Sequence, residues 1–170
     1  IITAASIPAK RLGIKTADPV SMALRKCPGL VIVKGDWEWY RICSRGFIEI
    51  CRSYSPVLQQ FSIDECFIDM TMRNWGEDPT AVAARLKDEI KDKLGFTVNV
   101  GIGPNKLLAK MASDFEKPDK VHTLWESEIA EKMWPLSVRD LLWVGKKTEA
   151  VTGFNSIYFP CWVLLWDKST

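Results

Sequence analysis

The sequence predicts a fold of mixed helix and strand, α+β or α/β, in which a sheet is layered by helices. Three observations carry this. Phe96, Val98, Val100 and Ile102 alternate with Thr97, Asn99 and Gly101, the period of a half-buried strand. Tyr40, Cys43, Phe47, Ile50, Cys51 and Tyr54 recur at spacings of three and four, one buried helical stripe. Segments of the two kinds alternate along the chain, separated by Pro, Gly and Asp.

The elements follow in order. Asp18-Pro19, then Val20, Ala23, Leu24 and Cys27, predict a short capped helix ending before Pro28. Residues 30–33 are a brief apolar strand candidate. Asp36 is placed to cap the striped helix, and Ser55-Pro56 ends it. Residues 57–69 predict two strands around a tight connection. Asp78-Pro79 starts a helix with Val82, Ala83, Leu86 and Ile90 on one face and Gly95 as its stop. The alternating strand comes next, then a helix opened by Pro104, carrying Leu108, Met111 and Phe115 and closed near Pro118. After Trp125 the pattern is short and helical.

Composition sets bounds. The 170 residues are 47% hydrophobic and 26% charged, ordinary for a soluble globular protein, although eight Trp is many. A net charge of +2 does not by itself announce nucleic-acid binding. The five cysteines, Cys27, Cys43, Cys51, Cys66 and Cys161, form no CxxC and are odd in number, so they predict reduced thiols in a cytoplasm. His122 is the single histidine and has no neighbouring ligand residues. No apolar run is long enough to span a bilayer, and the opening residues do not carry the pattern expected of a signal peptide. The opening Ile1-Ile2-Thr3-Ala4-Ala5 reads as the middle of a protein.

The sharpest local feature is Ser62-Ile63-Asp64-Glu65. Neighbours on a straight strand face opposite sides, so Asp64 and Glu65 share a ligand only where the strand ends or turns. Paired carboxylates at a sheet edge suit Mg²⁺, and two such ions can hold a triphosphate and activate a 3′-hydroxyl. On residue types alone the commoner reading of the pair is a solvated turn. Gly101-Ile102-Gly103-Pro104-Asn105-Lys106 lacks the ending of a P-loop and reads as a strand-to-helix turn. Lys106 and Lys110, four apart, read as a solvated helix face. Lysine at Lys10 or Lys117 would give a flexible point charge for phosphates.

Together, five motifs in register resemble the Y-family translesion DNA polymerases of the bacterial UmuC/DinB type, from about Ala4 to Thr148. They are Ala9-Lys10-Arg11-Leu12-Gly13-Ile14-Lys15-Thr16; Ala23-Leu24-Arg25-Lys26-Cys27-Pro28; Ser62-Ile63-Asp64-Glu65; the run from Val100 to Lys110; and Ala112-Ser113-Asp114-Phe115-Glu116-Lys117-Pro118-Asp119. The resemblance implies a partial right-hand polymerase: fingers at 1–36, a palm of mixed sheet covered by helices at 37–124, and the start of a helical thumb at 125–170. It implies template-directed nucleotidyl transfer with two Mg²⁺ ions, an error-prone activity that bypasses DNA damage. Asp64 and Glu65 would be catalytic metal ligands, and Lys10 and Lys117 would hold the incoming deoxynucleoside triphosphate. The segment 135–148 is similar to the family's thumb opening, where Gly145, Lys146 and Lys147 would meet phosphates of primer-template DNA, a contact that positions without reading sequence. A sliding clamp would be met through regions absent here, and no membrane partner is implied.

The chain also departs from the family. The first palm strand, with its own metal-binding aspartate and the gate against ribonucleotides, belongs upstream of Ile1. Ile7 stands where many members carry a triphosphate-binding tyrosine, three residues before Lys10. The little finger is missing. Residues 151–170 are rich in Trp and Phe, and 161–166 form an apolar, uncharged window prone to aggregate if exposed. The expectation is therefore a fragment that is inactive as given. Two rival readings stand beside it: a nucleotide cyclase, disfavoured by the Gly13-Ile14-Lys15 and Gly145-Lys146-Lys147 motifs, and a non-catalytic remnant that binds DNA or a partner.

Overall fold

The computed structural model describes residues 1–71 and 76–152. The chain divides into two compact units, Ile1–Trp37 and Glu38–Thr170. The apolar window at 161–166 and Cys161 lie outside the described residues.

In the first unit, α1 spans Ile7–Arg11 and α2 spans Val20–Lys26. Ser6 caps α1 with its hydroxyl, and Pro8 sits in the first turn, where its missing N–H costs nothing. Nothing in the sequence reading anticipated this helix, whose five residues are too few to show a period. Ile2, Ala9, Ile14 and Ala23 form the unit's small core. Two expectations fail here. Asp18 does not cap α2, whose N-cap is Pro19; its carboxylate instead accepts the Lys15 N–H at 3.0 Å and the Lys26 ammonium at 2.7 Å, closing the loop onto the helix end. Residues 30–33 form no strand, and Val31 and Val33 are 81% and 82% exposed. Apolar character alone does not make a strand without a partner to pair with.

Helix α3 (Trp37–Tyr54), which lies in the second unit from Glu38 on, leads into an antiparallel hairpin of β1 (Leu58–Gln60) and β2 (Cys66–Ile68). The stripe is buried at Phe47, Ile50, Cys51 and Tyr54, but Tyr40 is 44% exposed. Helix α4 (Pro79–Leu94) has the limits its caps dictate. The Asp78 carboxylate accepts the Thr80 N–H, and Gly95 ends the helix at φ 75°, where a side chain would be strained. Its face of Val82, Leu86 and Ile90 packs with α3 in one core cluster.

The alternating segment yields only three strand residues, β3 (Val100–Ile102), paired in parallel with β4 (Val121–Thr123). Helix α5 (Lys106–Asp114) lies between them and starts from Asn105, whose side chain accepts the Leu108 N–H, rather than from Pro104. The described strands thus make two two-stranded sheets, one antiparallel and one parallel. Leu108, Met111, Ala112, Leu124 and Met133 form a second core cluster, joined by Leu136 and Leu141 from the segment beyond Trp125. That segment consists of short helical turns at 126–140 followed by α6 (Lys146–Thr152). Among the described residues, no helix is long and apolar enough to cross a membrane, and Cys27, Cys43, Cys51 and Cys66 are free thiols.

Candidate metal and phosphate site

The β1–β2 register pairs Leu58 with Ile68, Gln59 with Phe67 and Gln60 with Cys66, leaving residues 61–65 as the connection. Phe61 and Ser62 both donate their N–H to the Glu65 carbonyl, at 2.9 and 3.1 Å, so the turn closes on the acidic pair. The Ser44 hydroxyl of α3 donates to the Ile63 carbonyl and ties the loop to the helix. Phe61 meets Phe67 edge-on at 5.6 Å and Trp143 at 6.3 Å. Lys106 donates to the Gln59 side chain and lies 6.0 Å from the Phe67 ring centre, bracing the hairpin from α5.

The two carboxylates engage different groups. Asp64 is exposed, and its Oδ1 accepts the Ser62 hydroxyl at 2.7 Å within the loop. Glu65 turns toward α5, where its Oε1 accepts the Lys110 ammonium at 2.6 Å. Lys110 also lies 3.2 Å from Asp114 Oδ2, and Asp114 Oδ1 lies 2.7 Å from the Lys117 ammonium. A chain of alternating charge therefore runs from the hairpin to Lys117. With its side chain only 16% exposed, Lys110 is no solvated-face lysine, which corrects the sequence reading. Burial alone would push its pKa down, but Glu65 and Asp114 outweigh that and hold it above the ordinary lysine value. Burial likewise pushes Asp114 up, and Lys117 and Lys110 outweigh it, holding its carboxyl below the usual range. Spacing alone shows only one link of this network: Lys110 and Asp114 are four apart, neighbours on one face of α5, whereas Lys117 lies in the loop beyond the helix end.

Sterics place α5. A Cβ on Gly101 would meet the Ala109 carbonyl oxygen at 2.0 Å, and one on Gly103 would meet the Ala109 nitrogen at 2.8 Å. The glycines serve close helix–strand approach, and that approach holds Lys110 within reach of Glu65.

The loop bearing Lys117 is anchored separately. Asp119, at φ 62°, accepts the ammonium groups of Lys87 and Lys91 on α4 at 2.8 and 2.9 Å. Lys87 foremost, then Lys91, hold the Asp119 carboxyl below its ordinary 3.8. A depressed carboxyl stabilises the fold above the unfolded value and loses that contribution as pH falls through the folded one. Asp119→Asn is thus expected to lower the urea midpoint at neutral pH, with the deficit shrinking in strong acid. A deficit that does not change with pH would show that the ion pair contributes nothing.

The remaining candidates lie on other elements. Lys10 stands exposed on α1, in the first unit. Gly145, Lys146 and Lys147 are exposed at the start of α6, where the Gly145 carbonyl accepts the Glu149 N–H at 3.0 Å and Glu149 pairs with Arg139 at 3.2 Å. Among the described residues, no group of three or more His, Cys, Asp or Glu is placed to hold a metal ion. The donors of Asp64 and Glu65 nonetheless fit a hard cation in kind. They are oxygen donors on a solvent-accessible turn, and Glu65 already binds a cationic group. As a pair they supply part of one coordination shell.

Residues 1–114 match the impB/mucB/samB family, and the chain belongs to it. Among its relatives is a protein described as DNA polymerase IV from Clostridium acetobutylicum, 44% identical over 146 residues, covering 86% of this chain and 37% of the relative. The fold is similar to the crystal structure of a DinB family error prone DNA polymerase from Sulfolobus solfataricus, with a TM-score of 0.82 and 25% identity over 92% of this chain and 48% of that one. An insertion ternary complex of Dbh DNA polymerase matches at a TM-score of 0.80 and 25% identity, over 88% of this chain and 45% of that one. The chain thus spans less than half the length of these relatives.

Proposed function

We propose that this chain supplies most of the fingers (1–36), most of the palm (37–124) and the thumb opening (125–170) of an error-prone translesion DNA polymerase of the cytoplasm, acting in the response to DNA damage. The observation that carries the reading is the Asp64-Glu65 hairpin linked by charge to Lys117, within a chain of this family. The relatives described as DNA polymerases support it, and the match through residue 114 disfavours the cyclase alternative.

Asp64 and Glu65 would hold Mg²⁺ together with water and substrate oxygens; the ion supplies charge stabilisation to the reacting phosphate. In this reading Lys117 and Lys10 neutralise the outer phosphates of the incoming deoxynucleoside triphosphate, since electrostatic stabilisation dominates phosphoryl transfer. The start of α6, with Gly145, Lys146 and Lys147, lies against phosphates of primer-template DNA without reading bases. Contact with a sliding clamp would come through parts of the longer protein.

The longest polypeptide read in frame with this chain tests the proposal. It is expected to extend primers on damaged and undamaged templates with Mg²⁺, and Asp64→Ala is expected to lower the rate by at least about a hundredfold, since loss even of a group that only orients a metal ligand costs ten- to a hundredfold. No metal-dependent extension on any template would refute the reading.

A further inference from the structure

We propose that Lys110 is a built-in counter-cation for Glu65 that a divalent ion must displace, and that Asp114 receives it. The inference rests on the reading of Asp64 and Glu65 as metal ligands. It names a further positioning residue and a coupling between two parts of that site.

Two adjacent carboxylates in one tight turn repel each other, and a cation at either relieves the repulsion. The Lys110 ammonium does this at Glu65, 2.6 Å from Oε1. Held in a side chain only 16% exposed, the ammonium depends on protein acceptors more than on water. A divalent ion arriving at Glu65 meets a positive charge already bound to the same carboxylate, so the two compete. Lysine is suited to such an exchange, because its charge rides on a flexible stem with three rotatable donors.

Asp114 is where the displaced ammonium goes. Its Oδ2 already pairs with Lys110 Nζ at 3.2 Å, one helical turn along α5, so a small rotation of the side-chain end tightens that contact at the expense of the one to Glu65. The other oxygen, Oδ1, holds Lys117 at 2.7 Å. Full transfer of Lys110 to Asp114 neutralises that carboxylate and loosens its hold on Lys117. Metal binding at the hairpin therefore frees the lysine assigned to phosphates, and by linkage phosphate capture by Lys117 favours metal at Glu65.

Mn²⁺ binding to the intact chain, titrated by electron paramagnetic resonance, tests the exchange without any activity. Lys110→Met is expected to bind Mn²⁺ more tightly than wild type, by roughly threefold or more, because the competing charge is gone. Lys110→Arg, which keeps the charge, is expected to stay near wild type. Asp114→Asn is expected to weaken Mn²⁺ binding, and to weaken it less on the Lys110→Met background, where no ammonium needs a destination. A general loss of negative charge near the metal would instead weaken binding equally in both backgrounds. Circular dichroism checks the fold. Should Lys110→Met not fold, Lys110→Gln keeps a hydrogen-bond donor for Glu65 and is expected to show the same gain. Unchanged Mn²⁺ affinity on removal of the Lys110 charge, or an Asp114→Asn effect of equal size in both backgrounds, overturns the exchange while leaving the metal site standing. A wild type with no Mn²⁺ binding removable by Asp64→Asn takes down the metal-site reading and the exchange with it.

Discussion

Gly101→Ala is expected to destabilise the protein by about 3 kcal/mol or more, the upper range for forced overpacking of an interior. The new Cβ would sit 2.0 Å from the Ala109 carbonyl oxygen and 2.4 Å from the Ser113 nitrogen. Both are backbone atoms of α5, so no side chain can swing aside. Helix α5 cannot retreat cheaply either, because Leu108, Met111 and Ala112 are buried in the cluster with Leu124 and Met133. In a chain of this length, each kcal/mol lowers the melting temperature by roughly 2–4 °C, so a fall near 10 °C is expected. Displacing α5 also carries Lys110 away from Glu65. Gly95→Ala is the control: it too is strained, at φ 75°, but its Cβ would meet nothing within 4 Å, and the expected loss is only about 1 kcal/mol. Urea unfolding followed by circular dichroism ranks the two. Equal midpoints for Gly101→Ala and wild type would mean that β3 and α5 do not approach as described.

Purified on its own, the 170-residue chain is expected to show no primer extension above background with Mg²⁺ or with Mn²⁺. Two-metal transfer needs carboxylates from more than one strand, set in line with the attacking and leaving oxygens. Asp64 and Glu65 come from one hairpin, and the described residues assemble no cluster of three metal-ligating side chains. Loss of a group that merely orients a ligand typically costs ten- to a hundredfold, and a missing ligand charge should cost more. Feeble Mn²⁺ binding and absent chemistry are compatible, since one hydrated ion needs fewer protein oxygens than a pair. Nucleotide incorporation by this chain that disappears in Asp64→Ala would prove the expectation wrong. Incorporation unaffected by Asp64→Ala would point to a contaminating polymerase.

The local elements were legible wherever the chain carries its own stop and start signals. Asp78-Pro79 and Gly95 bound α4 because a capping carboxylate, a first-turn proline and a left-handed glycine act through the backbone within a few residues. The hairpin at 57–69 is legible from alternation and its turn, and the order of the motifs along the chain carries the family resemblance. What only the tertiary structure decided depends on segments far apart in sequence. The parallel pairing of Val100 with Val121 and the lack of any strand at 30–33 follow from which backbone finds a partner. Gly101 looked like part of a turn and proved to be the contact point of strand and helix. Lys110 looked solvated, as a lysine four residues from another does on an isolated helix. Its bond to Glu65, 45 residues earlier, exists because packing of Leu108 and Met111 turns that face of α5 toward the hairpin. Helical period tells which residues share a face, but the neighbour across from that face is set by long-range packing, and the charge network of this site belongs to the latter.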